Sequence, residues 1–129
     1  MDGTVNDDSP IVLIVEDDSL LRMLAVEVIE EAGFVVLEAG DADEAVALLE
    51  SRSDVALLFT DIDMPGSMNG LKLAHAVRNR WPPIKIVIVS GVVRPQPYEL
   101  PSNSYFLEKP YQPAAMVAKL RSLIGSTAS

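Results

Sequence analysis

Five short apolar runs, two of them dominated by β-branched residues, alternate along the chain with segments whose apolar residues recur at helical spacing. The runs are Ile11–Val15, Phe34–Glu38, Val55–Phe59, Ile84–Val89 and Tyr105–Leu107. A continuous apolar run cannot turn one face to water, so the central ones must be covered on both sides, as strands of a parallel sheet are. The intervening segments supply the covers. Leu21, Leu24, Ala25, Val28 and Ile29 mark one helical face, and Ala42, Ala45, Val46 and Leu49 a second. Leu73, Ala74 and Val77 mark a third, and Met116, Val117, Leu120, Leu123 and Ile124 a fourth. This alternation predicts a single α/β domain, a mostly parallel five-stranded sheet with helices on both faces. At 129 residues and 49% hydrophobic composition the chain can bury such a core.

Local signals set the boundaries. Asp18 or Ser19 caps the first helix, which Ala32-Gly33 ends. Asp41 and Glu44 have the spacing of a capping box. The third helix is expected from Gly70, or one residue earlier at Asn69, to Arg80, where Trp81-Pro82-Pro83 breaks it. Pro65-Gly66 turns the chain after the third strand. From Val92 to Asn103 the prolines at 95, 97 and 101 oppose a helix, so an irregular connection with at most a short helical turn is expected. Pro113 stands near the start of the last helix. Residues 1–9 and 125–129 read as flexible tails around a domain spanning 10–124.

Composition excludes several functions. Without cysteine there is no disulfide framework, thiol chemistry or thiolate metal site. A formal charge of -9, with no basic stripe, opposes direct nucleic-acid binding. No apolar run approaches the roughly 20 residues that span a bilayer, and the first residues lack a secretory pattern, so a soluble cytoplasmic protein is expected. Three acids follow the first run where a dinucleotide fold or P-loop would need glycines, and they would repel a pyrophosphate.

The chemistry lies at the strand ends. Glu16 and Asp17 follow the first strand, and Asp61 and Asp63 lie at or just beyond the end of the third. A sheet that sets those strands side by side gathers carboxylates whose mutual repulsion calls for a cation. Hard oxygen donors with no His or Cys cluster suit Mg²⁺, or Mn²⁺, better than zinc. Ser90 and Lys109, after the fourth and fifth strands, add a hydroxyl and a compact positive charge. If Asp61 attacked a phosphoryl donor, Lys109 and the cation would neutralise the transferred oxygens while Ser90 donated a hydrogen bond.

These residues, in the segments Val12–Asp18, Thr60–Pro65, Val89-Ser90-Gly91 and Phe106–Tyr111, resemble the receiver domains of bacterial two-component response regulators. The resemblance spans roughly residues 10 to 124 and implies the stand-alone type, with no room for an attached DNA-binding domain. It implies a flavodoxin-like (CheY-like) doubly wound sheet of strand order 2-1-3-4-5. Asp61 then matches the phosphoacceptor. Asp17 matches a direct Mg²⁺ ligand, and Glu16 matches its acidic neighbour, acting through water. Asp61 and the backbone carbonyl of Asp63 complete the protein's share of the metal site. Ser90 matches the hydroxyl residue that meets the phosphoryl group, Lys109 the invariant lysine, and Phe106 the switch aromatic. The implied partners are a histidine kinase or histidine phosphotransfer protein and a downstream protein, with a monomer or a phosphorylation-dependent dimer as the assembly. The implied activity is phosphoacceptance with slow autodephosphorylation, not turnover of a substrate.

Three departures from the family pattern stand out. Glu16 occupies a place more often held by aspartate, and the stretch Gly66–Asn69 is one residue longer than usual. The Ser90 to Lys109 interval is about three residues short, which with its three prolines implies an irregular or shortened fourth helix. Two other functions fit the same residues: a protein-binding module indifferent to phosphorylation, and a small-molecule phosphatase with Asp61 as nucleophile and Asp63 as general acid. The second lacks any cap insertion to enclose a substrate.

Overall fold

The computed structural model describes residues 9–64, 68–92 and 94–124. Its elements follow the expected alternation: β1 (Ile11–Val15), α1 (Ser19–Glu31), β2 (Val35–Ala39), α2 (Ala42–Ser51), β3 (Val55–Asp61), α3 (Gly70–Arg80), β4 (Lys85–Ser90), β5 (Ser104–Glu108) and α4 (Pro113–Ile124). All neighbours in the sheet are parallel, in the order β2-β1-β3-β4-β5. The expected tails at residues 1–8 and 125–129, and the Pro65-Gly66 turn with most of the lengthened loop, lie outside the described residues.

Alternation of side chains along the strands divides the core in two. Leu13, Val15, Leu58, Ile86 and Ile88 meet α2 and α3 through Ala45, Leu49, Leu73 and Val77. Val12, Ile14, Phe59, Val87 and Val89 meet α1 and α4 through Ala25, Ile29, Met116 and Leu120. A β-bulge interrupts the β1–β3 ladder: Ile11 pairs with Val55 but Val12 with Leu57. The extra residue lets Val55 join one core layer and Leu57 the other.

Caps fix the helix ends. Asp18 Oδ1 accepts the N–H groups of Leu20 and Leu21, and Asn69 Oδ1 that of Lys72. Asp41 caps α2 as its spacing predicts, but the expected reciprocal bond is displaced by one residue: the Glu44 carboxylate accepts from Gly40 N–H, at 2.6 Å. Gly33, with φ 101, takes the left-handed conformation that ends α1.

One face differs from expectation. Leu21 and Leu24, which share the helical stripe of Ala25, Val28 and Ile29, are 44% and 48% exposed, and Leu20 and Met23 beside them are 59% and 50% exposed. Leu21 and Leu24 line a groove of about 630 Å³ between α1 and the start of α4. The stripe is apolar over its whole length, while the sheet and α4 cover only its C-terminal half.

Between β4 and β5 no fourth crossover helix forms among the described residues. Its place is taken by a strap with one turn of 3-10 helix at Pro97–Glu99. α3 holds the strap through side chains. Arg78 donates from Nε to Ser102 O at 2.7 Å and from Nη2 to Asn103 O at 3.1 Å, and its Nη1 meets the carbonyls of Pro82 and Ile84. His75 Nε2 lies 2.6 Å from Glu99 O. Asn103 makes the final turn with φ 57, a left-handed conformation that asparagine tolerates.

Candidate functional site

The register of the sheet assembles the site. Val15 pairs with Thr60, so Glu16 and Asp61 emerge side by side, one residue further on, where β1 and β3 meet. In a doubly wound sheet this is where strand order reverses and where ligands are handled. Asp61 is the last residue of β3, and Ser90 the last of β4. The backbone of Ile62 continues the ladder through Val89 O at 2.9 Å, and Lys109 N–H donates to Ser90 O at 2.9 Å. Strand pairing therefore carries all four residues to one rim. The peptide between Lys109 and Pro110 is cis.

The structure brings most of the set together. Carboxylate oxygens of Glu16, Asp17 and Asp61 lie within 4.8 Å of one another. Lys109 Nζ stands 3.2 Å from Asp61 Oδ2 and 3.4 Å from Glu16 Oε1. Glu16 and Asp61 are each only 7% exposed, whereas Asp17 reaches solvent. Two buried carboxylates with an exposed third beside them, set against a single ammonium, leave uncompensated negative charge. That donor set, all oxygen and partly open, fits a hard divalent cation.

The protonation states follow the same physics. Burial pushes the Glu16 carboxyl up to about 7; the Asp18 N–H, 3.1 Å from Oε2, opposes the rise, and the neighbouring Asp61 charge adds to it. For Lys109 burial works against the ammonium, but Asp61 and Glu16 outweigh it and its pKa is raised. Burial also raises Tyr111, whose ring meets Phe59 edge-on with centroids 6.3 Å apart.

Two expected residues take positions that add detail. The Ser90 hydroxyl donates to Asp63 Oδ2 at 3.0 Å. Asp63 N–H in turn lies 3.3 Å from Asp61 Oδ1. Phe106 is half-buried and packs against the core layer shared with α2 and α3.

Sequence reasoning passed over two supports of the site. Arg22, one turn into α1, donates from Nη1 to the Glu16 carbonyl at 2.7 Å and pairs with Glu38 at 3.2 Å, clamping the end of β1. Gly70 starts α3 so close to β3 that a Cβ there would lie 1.7 Å from the Asp61 carbonyl oxygen, and its N–H donates to Ile62 O. A glycine at the first position of a helix, where an ordinary residue would serve, was the available signal for that close approach.

Fold and site together define a doubly wound parallel α/β domain with an acidic, lysine-neutralised pocket at its topological switch point. The response regulator receiver domain model matches residues 12–121, and the chain belongs to that family. Members are phosphoacceptor signalling modules, not turnover enzymes. The chain is 31% identical over 123 residues to the aerobic respiration control protein ArcA of Escherichia coli K12, covering 92% of this chain and 50% of that one. It is 30% identical over 120 residues to the sensor kinase CckA of Brucella abortus, covering 90% of this chain and 13% of that one. It therefore spans half or less of the length of these relatives. A receiver protein from Sinorhizobium medicae superposes with a TM-score of 0.85 at 24% identity, over 91% of this chain and 95% of that one, which shows the shared fold. No helix among the described residues is long and apolar enough to cross a membrane.

Proposed function

We propose that this protein is a response regulator phosphorylated on Asp61 by a histidine kinase or histidine phosphotransfer protein, and that it signals through altered affinity for a protein partner. The observation that carries the reading is the Lys109 ammonium held 3.2 Å from a buried Asp61 carboxylate beside two further acids. An Asp61 carboxylate oxygen attacks phosphorus; the new O–P bond forms as the bond from phosphorus to the donor imidazole nitrogen breaks, and the electron pair stays on that nitrogen. Lys109 neutralises charge on the transferred oxygens, and Ser90 supplies a hydrogen bond to one of them. Asp17 and Asp61 would hold Mg²⁺, or Mn²⁺, with the Asp63 carbonyl, and Glu16 would support it through water. Bound there, the cation supplies further neutralisation of phosphoryl charge. Exposed Leu20, Leu21, Met23 and Leu24, next to the groove that opens on Asp61 and Lys109, give the donor protein an apolar surface to dock on.

Incubation with Mg²⁺ and acetyl phosphate followed by intact mass should reveal one added phosphoryl group, absent in Asp61→Asn. Lys109→Ala should keep the fold and lose most of the phosphorylation rate. Failure of the wild type to accept phosphate from several donors would defeat the proposal. The competing reading, a binding module indifferent to phosphorylation, draws on Glu16, whose burial favours the protonated form over a metal ligand. Equal partner affinity with and without phosphate would favour it.

A further inference from the structure

We infer that Asp63 is a positioning residue that restrains Ser90: its carboxylate takes the hydroxyl proton that the phosphorylated site needs, and so sets how readily Asp61 is phosphorylated. This rests on the phosphoacceptor reading and adds to it a determinant of rate. Ser90 is 1% exposed at the end of β4, so its side chain has little freedom except toward the rim. There its Oγ donates to Asp63 Oδ2 at 3.0 Å. A hydroxyl has a single proton to donate. While the Ser90 hydroxyl donates to Asp63 it cannot donate to a phosphoryl oxygen, and a carboxylate acceptor makes the bond stronger than one to a neutral group.

The position of Asp63 makes the competition direct. Its N–H faces Asp61 Oδ1 at 3.3 Å, which places its side chain on the same open rim, while its own exposure leaves it free to be displaced. Phosphorylation of Asp61 must exchange the Ser90–Asp63 bond for a Ser90–phosphoryl bond. The exchange costs the first bond before the second forms. Asp63 also adds negative charge where an anionic donor approaches, and the two effects are separable by experiment.

Initial rates of phosphorylation by acetyl phosphate with saturating Mg²⁺, followed by intact mass, should be measured for wild type, Asp63→Ala, Ser90→Ala and the double variant, with Asp63→Asn as a conservative control. Asp63→Ala should raise the rate about tenfold, the scale of one hydrogen bond to a charged acceptor at its weaker end. In the Ser90→Ala background most of that gain should vanish, because there is no hydroxyl left to release. Asp63→Asn keeps an acceptor without the charge and should fall between wild type and Asp63→Ala. Equal gains in both backgrounds would mean that Asp63 acts through charge alone and would overturn the inference while leaving Asp61 as phosphoacceptor. A slower Asp63→Ala would overturn it as well. A wild type that accepts no phosphate would remove the inference together with the functional reading.

Discussion

The rim around Asp61 and the strap between β4 and β5 lie in one domain, yet they are held in different ways. Glu16, Asp61, Ser90 and Lys109 sit at or one residue past strands paired on both sides, or against such a strand, so their backbones are fixed by the ladder. The strap at 94–103 forms no ladder; Arg78 and His75 of α3 hold its backbone, its own Arg94 pairs with Glu108, and Leu100 packs against the core. Cooperative backbone pairing tolerates the loss of any one side chain. A strap hung from a few side chains depends more on each. The rim should therefore break only when backbone packing is forced apart, and the strap when a single side chain is removed.

The largest expected effect is on the rim. Gly70→Ala places a methyl group where the Asp61 carbonyl oxygen stands, 1.7 Å away, and neither helix nor strand can yield cheaply. Overpacking of this kind should cost about 3 kcal/mol. Urea unfolding should report that loss, and phosphorylation should drop more than tenfold because α3 bears directly on the backbone of the acceptor. Gly91→Ala is the control: its added methyl would meet the Lys109 side chain, at 3.3 Å from Cβ and 3.7 Å from Cδ, and should be far milder.

The second effect separates electrostatics from backbone placement on the same rim. Burial raises the Glu16 pKa to about 7 from an ordinary 4.5. A group that binds its proton more tightly in the folded state lends stability that is complete below the ordinary pKa and is lost as pH rises through the folded one. Between about pH 5 and about pH 8 the chelator-treated protein should lose about 2 kcal/mol, less than the full shift implies because the rim is partly open to water, which screens the new charge. Glu16→Gln should flatten the profile. A wild-type curve as flat as that of the variant would mean that Glu16 is ionised throughout, and the site's burial would then need another source of compensation.

How much was legible follows the same division. The apolar runs fixed which residues become strands, and because a parallel ladder places strand ends together, Glu16, Asp17, Asp61, Ser90 and Lys109 could be grouped from spacing alone. The three prolines before Asn103 likewise announced the missing helix. What spacing does not carry is contact that depends on distance in space. Leu21 and Leu24 have the same period as Ala25 and Ile29, and nothing in the period reveals that α4 stops covering them. The Arg22 clamp on the Glu16 carbonyl and the Arg78 bonds to Ser102 and Asn103 join residues whose types are ordinary for helix surfaces. The Ser90–Asp63 bond is illegible for the same reason: both residues were assigned to the site, but not to each other.

On the strap, Arg78→Ala removes bonds to four carbonyls at once. The half-buried guanidinium is partly replaced by water, so the expected loss is about 1–2 kcal/mol, well below the sum of four charge-assisted bonds. The signature is local. Hydrogen exchange should rise across residues 94–103 while protection in β1 and β3 stays unchanged, and the phosphorylation rate should remain within about twofold of wild type. A collapse of phosphorylation would mean that the strap shapes the rim, and the two regions would no longer count as independently held.

His75→Ala should have the smallest effect, because it removes one bond at an exposed position and leaves Arg78 holding the strap. A loss of about 0.5 kcal/mol is expected. The double variant with Arg78→Ala sharpens the comparison. His75 binds at Glu99 and Arg78 at Ser102 and Asn103, so both act on one short segment whose ordering cost is met only once. When Arg78 is absent the segment is already loose, and removing His75 should then add little to its exchange rate. That non-additivity in exchange, confined to 94–103, is the mark of a strap ordered as a unit by α3; strict additivity would mean that each end is held by itself.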